Sequence, residues 1–159
     1  MDAIKLQRLS HRLSKAHVPI IPGLIYRLIH LVCSSCLSPN IQIGVGTKLG
    51  HGGIGVVVNQ KSRIGRNVIL AQNVTIAGRD GLAPTIGDWC YVGANSVVLG
   101  GVTLGKNSYV GALSFVNKDV PDGAIVIGSP ARVLRVRTPE EIEEWHHWVL
   151  DNGGVIIDE

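Results

Sequence analysis

Aliphatic side chains recur at every sixth residue through the middle of the chain. There are three series: Ile43, Leu49; Val58, Ile64, Leu70, Ile76; and Ile86, Val92, Val98, Leu104, Val110, Val116. A period of six matches neither the 3.6-residue turn of a helix nor the two-residue alternation of an isolated strand. It matches a short strand followed by a corner, and three such units would close one triangular coil of a parallel β-helix.

The residues after each aliphatic position agree with this prediction. Gly or Ala follows most of them, and Asn stands three residues after four of them, at Asn67, Asn73, Asn95 and Asn107. Asn tolerates the left-handed backbone conformation that a tight corner requires. Assigning hexads in order predicts three walls: Leu49, Leu70, Val92, Val110; Val58, Ile76, Val98, Val116; and Ile43, Ile64, Ile86, Leu104.

Two irregular spacings predict loops. Leu49 to Val58 is nine residues and Ile76 to Ile86 is ten, so three and four extra residues must leave the coil at its corners. The first predicted loop, 52–55, directly follows a histidine, and the second spans 78–84. Because the repeat is regular elsewhere, we favour functional loops over tolerated insertions.

Both flanks of the repeat are predicted to be helical. Residues 3–16 and about 23–37 carry apolar residues on more than one face, which suits helices that cap the open end of a solenoid. Thr138 begins a capping box with Pro139 at the first helical position, predicting a helix over 139–151 that stops before Gly153. We divide the chain into an N-terminal helical cap (1–40), a β-helix (41–134) and a C-terminal helix with tail (135–159).

Charge and cysteine content exclude several classes of protein. The net charge is +3 without a dense basic stripe interleaved with aromatics, so no nucleic-acid partner is expected. The apolar run 18–37 is interrupted by prolines and Arg27, which argues against a membrane span and leaves peripheral membrane contact as a weaker alternative. Cys33 and Cys36 lack the second pair that a zinc site needs, so we expect buried helix cysteines, reduced thiols and a cytoplasmic protein.

The six-residue repeat resembles that of the hexapeptide-repeat acyltransferases. Segments 49–58, 71–77 and 126–132, the last with a Gly-x-Pro-Ala-Arg motif, are most similar to the serine acetyltransferase and polysaccharide O-acetyltransferase branch. The resemblance implies an all-β solenoid, a left-handed parallel β-helix of about four coils. It also implies acetyl-CoA as co-substrate, no metal, and a homotrimer with active sites between neighbouring subunits. The general crossover rule would have favoured right-handed coils, so handedness comes from the resemblance alone.

His51 is the one histidine within the repeat, and the resemblance implies that it is the general base. An imidazole can take the proton of an acceptor hydroxyl near neutral pH. Counting in sixes places Gln72, Ala94 and Ala112 in line below it, where small side chains would admit a pantetheine arm. The backbone of the first loop is the candidate oxyanion donor, at Gly52, Gly53 and Gly55.

Further site candidates follow from the family's CoA position near the last coils. The candidate CoA residues are Ala94, Gly111, Ala112, Lys118, Ser129, Pro130, Ala131 and Arg132, with Arg135 as an additional cation. The candidates for binding the acceptor or orienting the base are Gln72, Arg79 and Asp80.

Two positions depart from the pattern of family members that act on serine. Those members carry Asp before the catalytic His and a second His before the loop proline, where this chain has Gly50 and Ala83. We therefore expect a small-molecule or saccharide acceptor, preferably a sugar hydroxyl of a surface polysaccharide or lipopolysaccharide, with serine as the alternative. A carbonic anhydrase of the same fold would need three histidines within the repeat to bind zinc, so the sequence argues against that function. A structural or binding solenoid without catalysis stays open.

Overall fold

The computed structural model describes residues 2–156 as a β-solenoid with three helices. The helices are α1 (Ala3–Lys15), α2 (Ile21–Cys33) and α3 (Pro139–Asp151). The strands are β1 (Cys36–Leu37), β2 (Gln42–Ile43), β3 (Lys48–Leu49), β4 (Val57–Val58), β5 (Arg63–Ile64), β6 (Ile69–Leu70), β7 (Thr75–Ala77), β8 (Thr85–Ile86), β9 (Tyr91–Val92), β10 (Val97–Leu99), β11 (Thr103–Leu104), β12 (Tyr109–Val110), β13 (Phe115–Val116), β14 (Ala124–Ile127) and β15 (Arg132–Val136). A 3-10 turn spans Gly50–Gly53.

The strands form three parallel walls around the core. Wall A contains β1, β4, β7, β10 and β13; wall B contains β2, β5, β8 and β11; wall C contains β3, β6, β9, β12, β14 and the antiparallel β15. Leu49 pairs with Leu70, Ile76 with Val98, and Ile64 with Ile86. The predicted left-handed parallel β-helix of about four coils, and its assignment of hexads to walls, are confirmed.

The interior holds a second inward-facing position that the period of six did not identify. Two residues before each column aliphatic lies a second buried side chain, such as Val74, Cys90 or Ser96. Some of the polar ones bond to the neighbouring coil, as Ser96 Oγ does by donating to the Gly111 carbonyl at 2.9 Å, whereas the buried Ser62 Oγ has no hydrogen-bond partner among residues 2–156. Burial raises the pKa of the Cys90 thiol to about 11. These side chains fill the interior beside the aliphatic columns.

The corners follow the asparagine prediction. Asn67, Asn73, Asn95 and Asn107 all have φ between 52° and 60°. The second loop, 78–84, is a tight hairpin in which Arg79 and Leu82 exchange two backbone hydrogen bonds of 2.9 Å. The second loop therefore leaves the coil where the spacing placed it, while the first leaves at the predicted corner with residues 51–53 in place of the expected 52–55.

The N-terminal helices close one end of the solenoid, with one correction to their bounds. Gln7 Nε2 donates to the Ser38 and Ile41 carbonyls at 3.3 Å each, which satisfies backbone groups of the first coil. α2 ends at Cys33, because Ser34 adopts a left-handed conformation (φ 52°). The prediction that this helix continues to about residue 37 was therefore wrong. Cys36 instead lies in β1 beside β4, and is not a helix cysteine.

Helix α3 confirms the capping prediction and packs across wall C. The Thr138 hydroxyl accepts from Glu141 N–H at 3.3 Å, and the Glu141 carboxylate accepts from Thr138 N–H at 2.9 Å. Trp145 Nε1 donates to the Trp89 carbonyl at 2.7 Å, fastening the helix to the third coil. Within residues 2–156, no helix is long and apolar enough to cross a bilayer.

Candidate active site

His51 lies at the corner between walls C and A, directly after β3. It is exposed and belongs to the 3-10 turn, with φ 49° and ψ 40°. Gly52 and Gly53 continue the left-handed run at φ 72° and 92°. A Cβ on Gly53 would stand 2.9 Å from the Ala3 Cβ of α1, so glycine is required where the loop folds against the capping helix. The loop therefore projects the imidazole outward from the coil.

The three extra residues change which side chain stacks on Gln72. Asn95 N–H donates to the Gln72 carbonyl at 3.2 Å and Leu113 N–H to the Ala94 carbonyl at 2.9 Å, which aligns Gln72, Ala94 and Ala112 in successive coils. One coil earlier, the equivalent donor is Asn73 N–H, which donates to the Ile54 carbonyl at 3.0 Å. Ile54 thus occupies the position expected for His51, because residues 51–53 bulge out of the coil at this corner. His51 stays at the same corner but outside the row.

The row of small residues forms a narrow strip down that corner. Ala94 is half-buried and Ala112 exposed. Asn73 Nδ2 donates to Asn95 Oδ1 at 3.2 Å along one side of the strip. A Cβ on Gly93 would lie 2.5 Å from Ala112 N, so the coils are in close contact here. An extended chain could approach the backbone along this strip.

The loop backbone supplies fewer oxyanion donors than the sequence suggested. Gly55 N–H donates to the Cys33 carbonyl at 2.9 Å, so it is already engaged by the end of α2. Gly53 is buried, while Gly52 is half-buried on the outer side of the loop. The expectation that Gly55 is an oxyanion donor is therefore wrong, because its donor is needed to anchor the chain between α2 and β4.

Arg79 and Asp80 lie at a different corner from His51. Their loop follows wall A and precedes wall B, whereas His51 follows wall C. The two side chains pair with each other at 3.2 Å and are 67% and 81% exposed. One chain therefore does not bring this loop and His51 together.

The CoA candidates fall into two groups. Ala94, Gly111 and Ala112 follow wall C, at the corner that carries His51. Lys118, Ala131 and Arg132 line one groove of about 220 Å³ at the far end of the solenoid. Asp119 also lines the groove and accepts from Thr103 N–H at 2.8 Å, so the two cations outnumber the one acid and suit a phosphate group.

Ser129 and Pro130 are exposed in the turn between β14 and β15 that leads into this groove. The charge of Arg135 is offset by Glu141, since its guanidinium makes a bidentate pair with that carboxylate at 2.6 and 2.7 Å.

Comparison with known proteins identifies the family. Residues 83–118 match the family model "Bacterial transferase hexapeptide (six repeats)". A serine acetyltransferase from Helicobacter pylori is 31% identical over 138 residues, covering 84% of this chain and 80% of that protein. The chain belongs to the serine acetyltransferase family.

Relatives in this family are longer than the chain. A serine acetyltransferase from Synechococcus elongatus is 33% identical over 84% of the chain but 56% of its own length. The crystal structure of a Brucella abortus serine acetyltransferase matches with a TM-score of 0.79 and 29% identity, covering 84% of this chain and 55% of the other. A Brucella abortus serine acetyltransferase in complex with coenzyme A matches with a TM-score of 0.80 and 27% identity, covering 86% and 56%. The chain thus spans just over half the length of these serine acetyltransferases.

Among residues 2–156, no group of three His, Cys, Asp or Glu side chains is placed to hold a metal ion. The cysteines are free: Cys33 and Cys90 are buried and Cys36 is half-buried. The remaining described histidines lie in or beside the helices. His146, for example, contacts Asn107 Oδ1 through Nε2 at 2.6 Å and stacks on Trp89. These contacts hold α3 on wall C.

Proposed function

We propose that the chain is an acetyl-CoA-dependent O-acetyltransferase with His51 as general base. The observation that carries this proposal is the left-handed glycine loop that presents an exposed imidazole beside the Ala94–Ala112 strip in a member of this family. His51 takes the proton of the acceptor hydroxyl as its oxygen attacks the thioester carbonyl. The tetrahedral oxyanion collapses, the C–S bond breaks, and the thiolate of CoA receives a proton. The products are an O-acetyl ester and free CoA.

The relatives favour serine as the acceptor, which reverses the preference for a sugar drawn from the sequence. Each named relative is a serine acetyltransferase, and no comparison supports a polysaccharide acceptor. This chain has Gly50 and Ala83 where family members that act on serine have Asp and His. For this reason the experiment also includes sugar acceptors. Purified protein with acetyl-CoA should release thiol faster with serine than with sugar acceptors, and the opposite order would reinstate the sugar.

Replacement of the base tests the mechanism. His51→Ala should lower kcat by about 100-fold to 10,000-fold with a smaller change in KM for acetyl-CoA, because the base acts on the acceptor proton and not on CoA binding. His147→Ala, whose side chain is 72% exposed on α3, is the matched control and should keep wild-type turnover. Full turnover by His51→Ala would show that His51 is not the general base, without affecting the fold assignment.

A homotrimer would complete this site. His51 and the Arg79 loop occupy different corners of one prism, so a cleft between neighbouring prisms is the arrangement that could unite them. The outward residues of wall A include Val57, Val97 and Phe115, which are half-buried and apolar as an interface requires. Light scattering should give a mass three times that of the chain. A monomer with full activity would contradict the shared site.

A further inference from the structure

One face of α2 is apolar and exposed. The face consists of Ile21, Leu24, Leu28 and Leu31, which are 47%, 55%, 41% and 82% exposed. Their spacing of three, four and three residues places them on a single stripe of the helix. The buried residues Pro22, Ile29 and Cys33 lie on the adjacent stripe. The apolar arc of α2 is therefore wider than the part that α1 and the first coil cover. We call the exposed part the α2 stripe.

The helix pair that carries the α2 stripe has a net positive charge. Residues 2–40 contain five Lys or Arg and one acid, Asp2, whose carboxylate lies 4.0 Å from Lys5 Nζ. Four of the five are exposed, namely Lys5, Arg12, Lys15 and Arg27. The fifth, Arg8, donates to the Gly44 and Thr47 carbonyls at 3.2 Å each and so belongs to the cap. The helix pair thus combines an uncovered apolar stripe with a net positive charge.

We propose that the α2 stripe docks onto the surface of an anionic lipid bilayer. A helix with an apolar face and flanking Lys or Arg lies in the interface between headgroups and acyl chains, and anionic headgroups attract the cations. At 13 residues, α2 is about 20 Å long, too short to cross the bilayer and long enough to lie along it.

A second copy of the chain fits the α2 stripe less well. A two-fold contact would bring two net-positive helix pairs together, with Asp2 as the one acidic side chain of residues 2–40 to offset the repulsion. An anionic surface buries the same leucines and neutralises the same charges. Charge complementarity therefore selects the bilayer as the occupant.

Vesicle co-sedimentation of the full chain tests this proposal. Wild-type protein should partition onto vesicles of phosphatidylcholine with phosphatidylglycerol, and much less onto phosphatidylcholine alone. Leu24→Gln with Leu28→Gln should lower the partition coefficient by about tenfold or more, because two apolar side chains that the bilayer would bury are lost. Leu134→Gln on β15, where the leucine is 61% exposed, is the matched control and should bind like wild type.

The electrostatic part has its own variants. Arg12→Gln with Arg27→Gln should weaken binding to the anionic vesicles several-fold, whereas Lys61→Gln, an exposed cation on the solenoid, should not. Raising NaCl from about 0.1 to about 1 M should weaken wild-type binding in the same direction.

Three results would overturn the proposal. The first is absence of wild-type binding to anionic vesicles, and the second is equal binding by the leucine variant. The third is light scattering that shows an assembly dispersed by the leucine variant without any vesicle binding, which assigns the stripe to a second copy. Circular dichroism checks that the variant folds, and Leu31→Gln, at the most exposed of these leucines, repeats the test if it does not.

Discussion

At the scale of single residues, glycine has two different roles in this chain. At the solenoid corners the next coil is so close that a side chain has no room: a Cβ on Gly93 would lie 2.5 Å from Ala112 N and 2.8 Å from its Cα. In α2, a Cβ on Gly23 would meet no atom within 4 Å. Glycine is thus required for packing at position 93. At position 23 it only increases the conformational entropy of the unfolded chain.

Alanine at these two positions should therefore have opposite effects. Gly93→Ala should lower the free energy of unfolding by about 1 to 3 kcal/mol, since the backbone of the next coil must shift. Gly23→Ala should raise it by up to about 1 kcal/mol, because Ala has the higher helix propensity. Urea denaturation measures both. A stabilised Gly93→Ala would show that the coils are not held at this spacing.

At the scale of elements, α3 is held at its first turn by a cluster of charge and backbone groups. Glu141 accepts from both Arg135 guanidinium nitrogens and from Thr138 N–H. These hydrogen bonds, with Arg135 first, lower the pKa of Glu141 from 4.5 to about 2. The cap thus joins α3 to β15, the strand that closes wall C.

This cap should make stability depend on pH in the acid range. The folded-state pKa of Glu141 lies below its unfolded value, so its contribution is complete above about pH 4.5 and disappears as pH falls towards 2. The difference in unfolding free energy between wild type and Glu141→Gln should be largest near pH 6 and shrink below pH 4.5.

Urea denaturation at a series of pH values measures this difference. Glu144→Gln, an exposed change on the same helix, should stay within about 0.5 kcal/mol of wild type. A difference for Glu141→Gln that does not change with pH would mean that the carboxylate does not hold the helix.

At the scale of the whole molecule, the walls make each coil depend on its neighbours. Ile86 is 1% exposed and its strand β8 pairs with both β5 and β11, so it lies at the centre of the stack. A cavity there removes contacts above and below the coil, and the surrounding backbone cannot collapse into it without breaking both ladders.

Ile86→Ala should accordingly cost about 2 to 5 kcal/mol of unfolding free energy. Ile54→Ala, at a corner where the side chain is 53% exposed, should change it by no more than about 0.5 kcal/mol. Thermal or urea unfolding of the two variants compares them directly. Equal losses would show that the solenoid interior does not carry the stability.

The sequence by itself determined the hexads, the three walls, the asparagine corners, both loops and the cap of α3. Each of these is written in the spacing of nearby residues: periodicity sets which side chains face inward, and a capping box spans four consecutive positions. Tertiary structure decided what depends on distant partners. Residues 36–37 become a strand because β4 pairs with them from 21 residues downstream, and the Gly55 N–H donates to the Cys33 carbonyl across the loop. His51 leaves the row above Gln72 because residues 51–53 bulge outward, which puts Ile54 in its place and folds Gly53 against α1. Counting along the chain locates an insertion, but only packing from elsewhere in the molecule decides which of its residues stay in the coil.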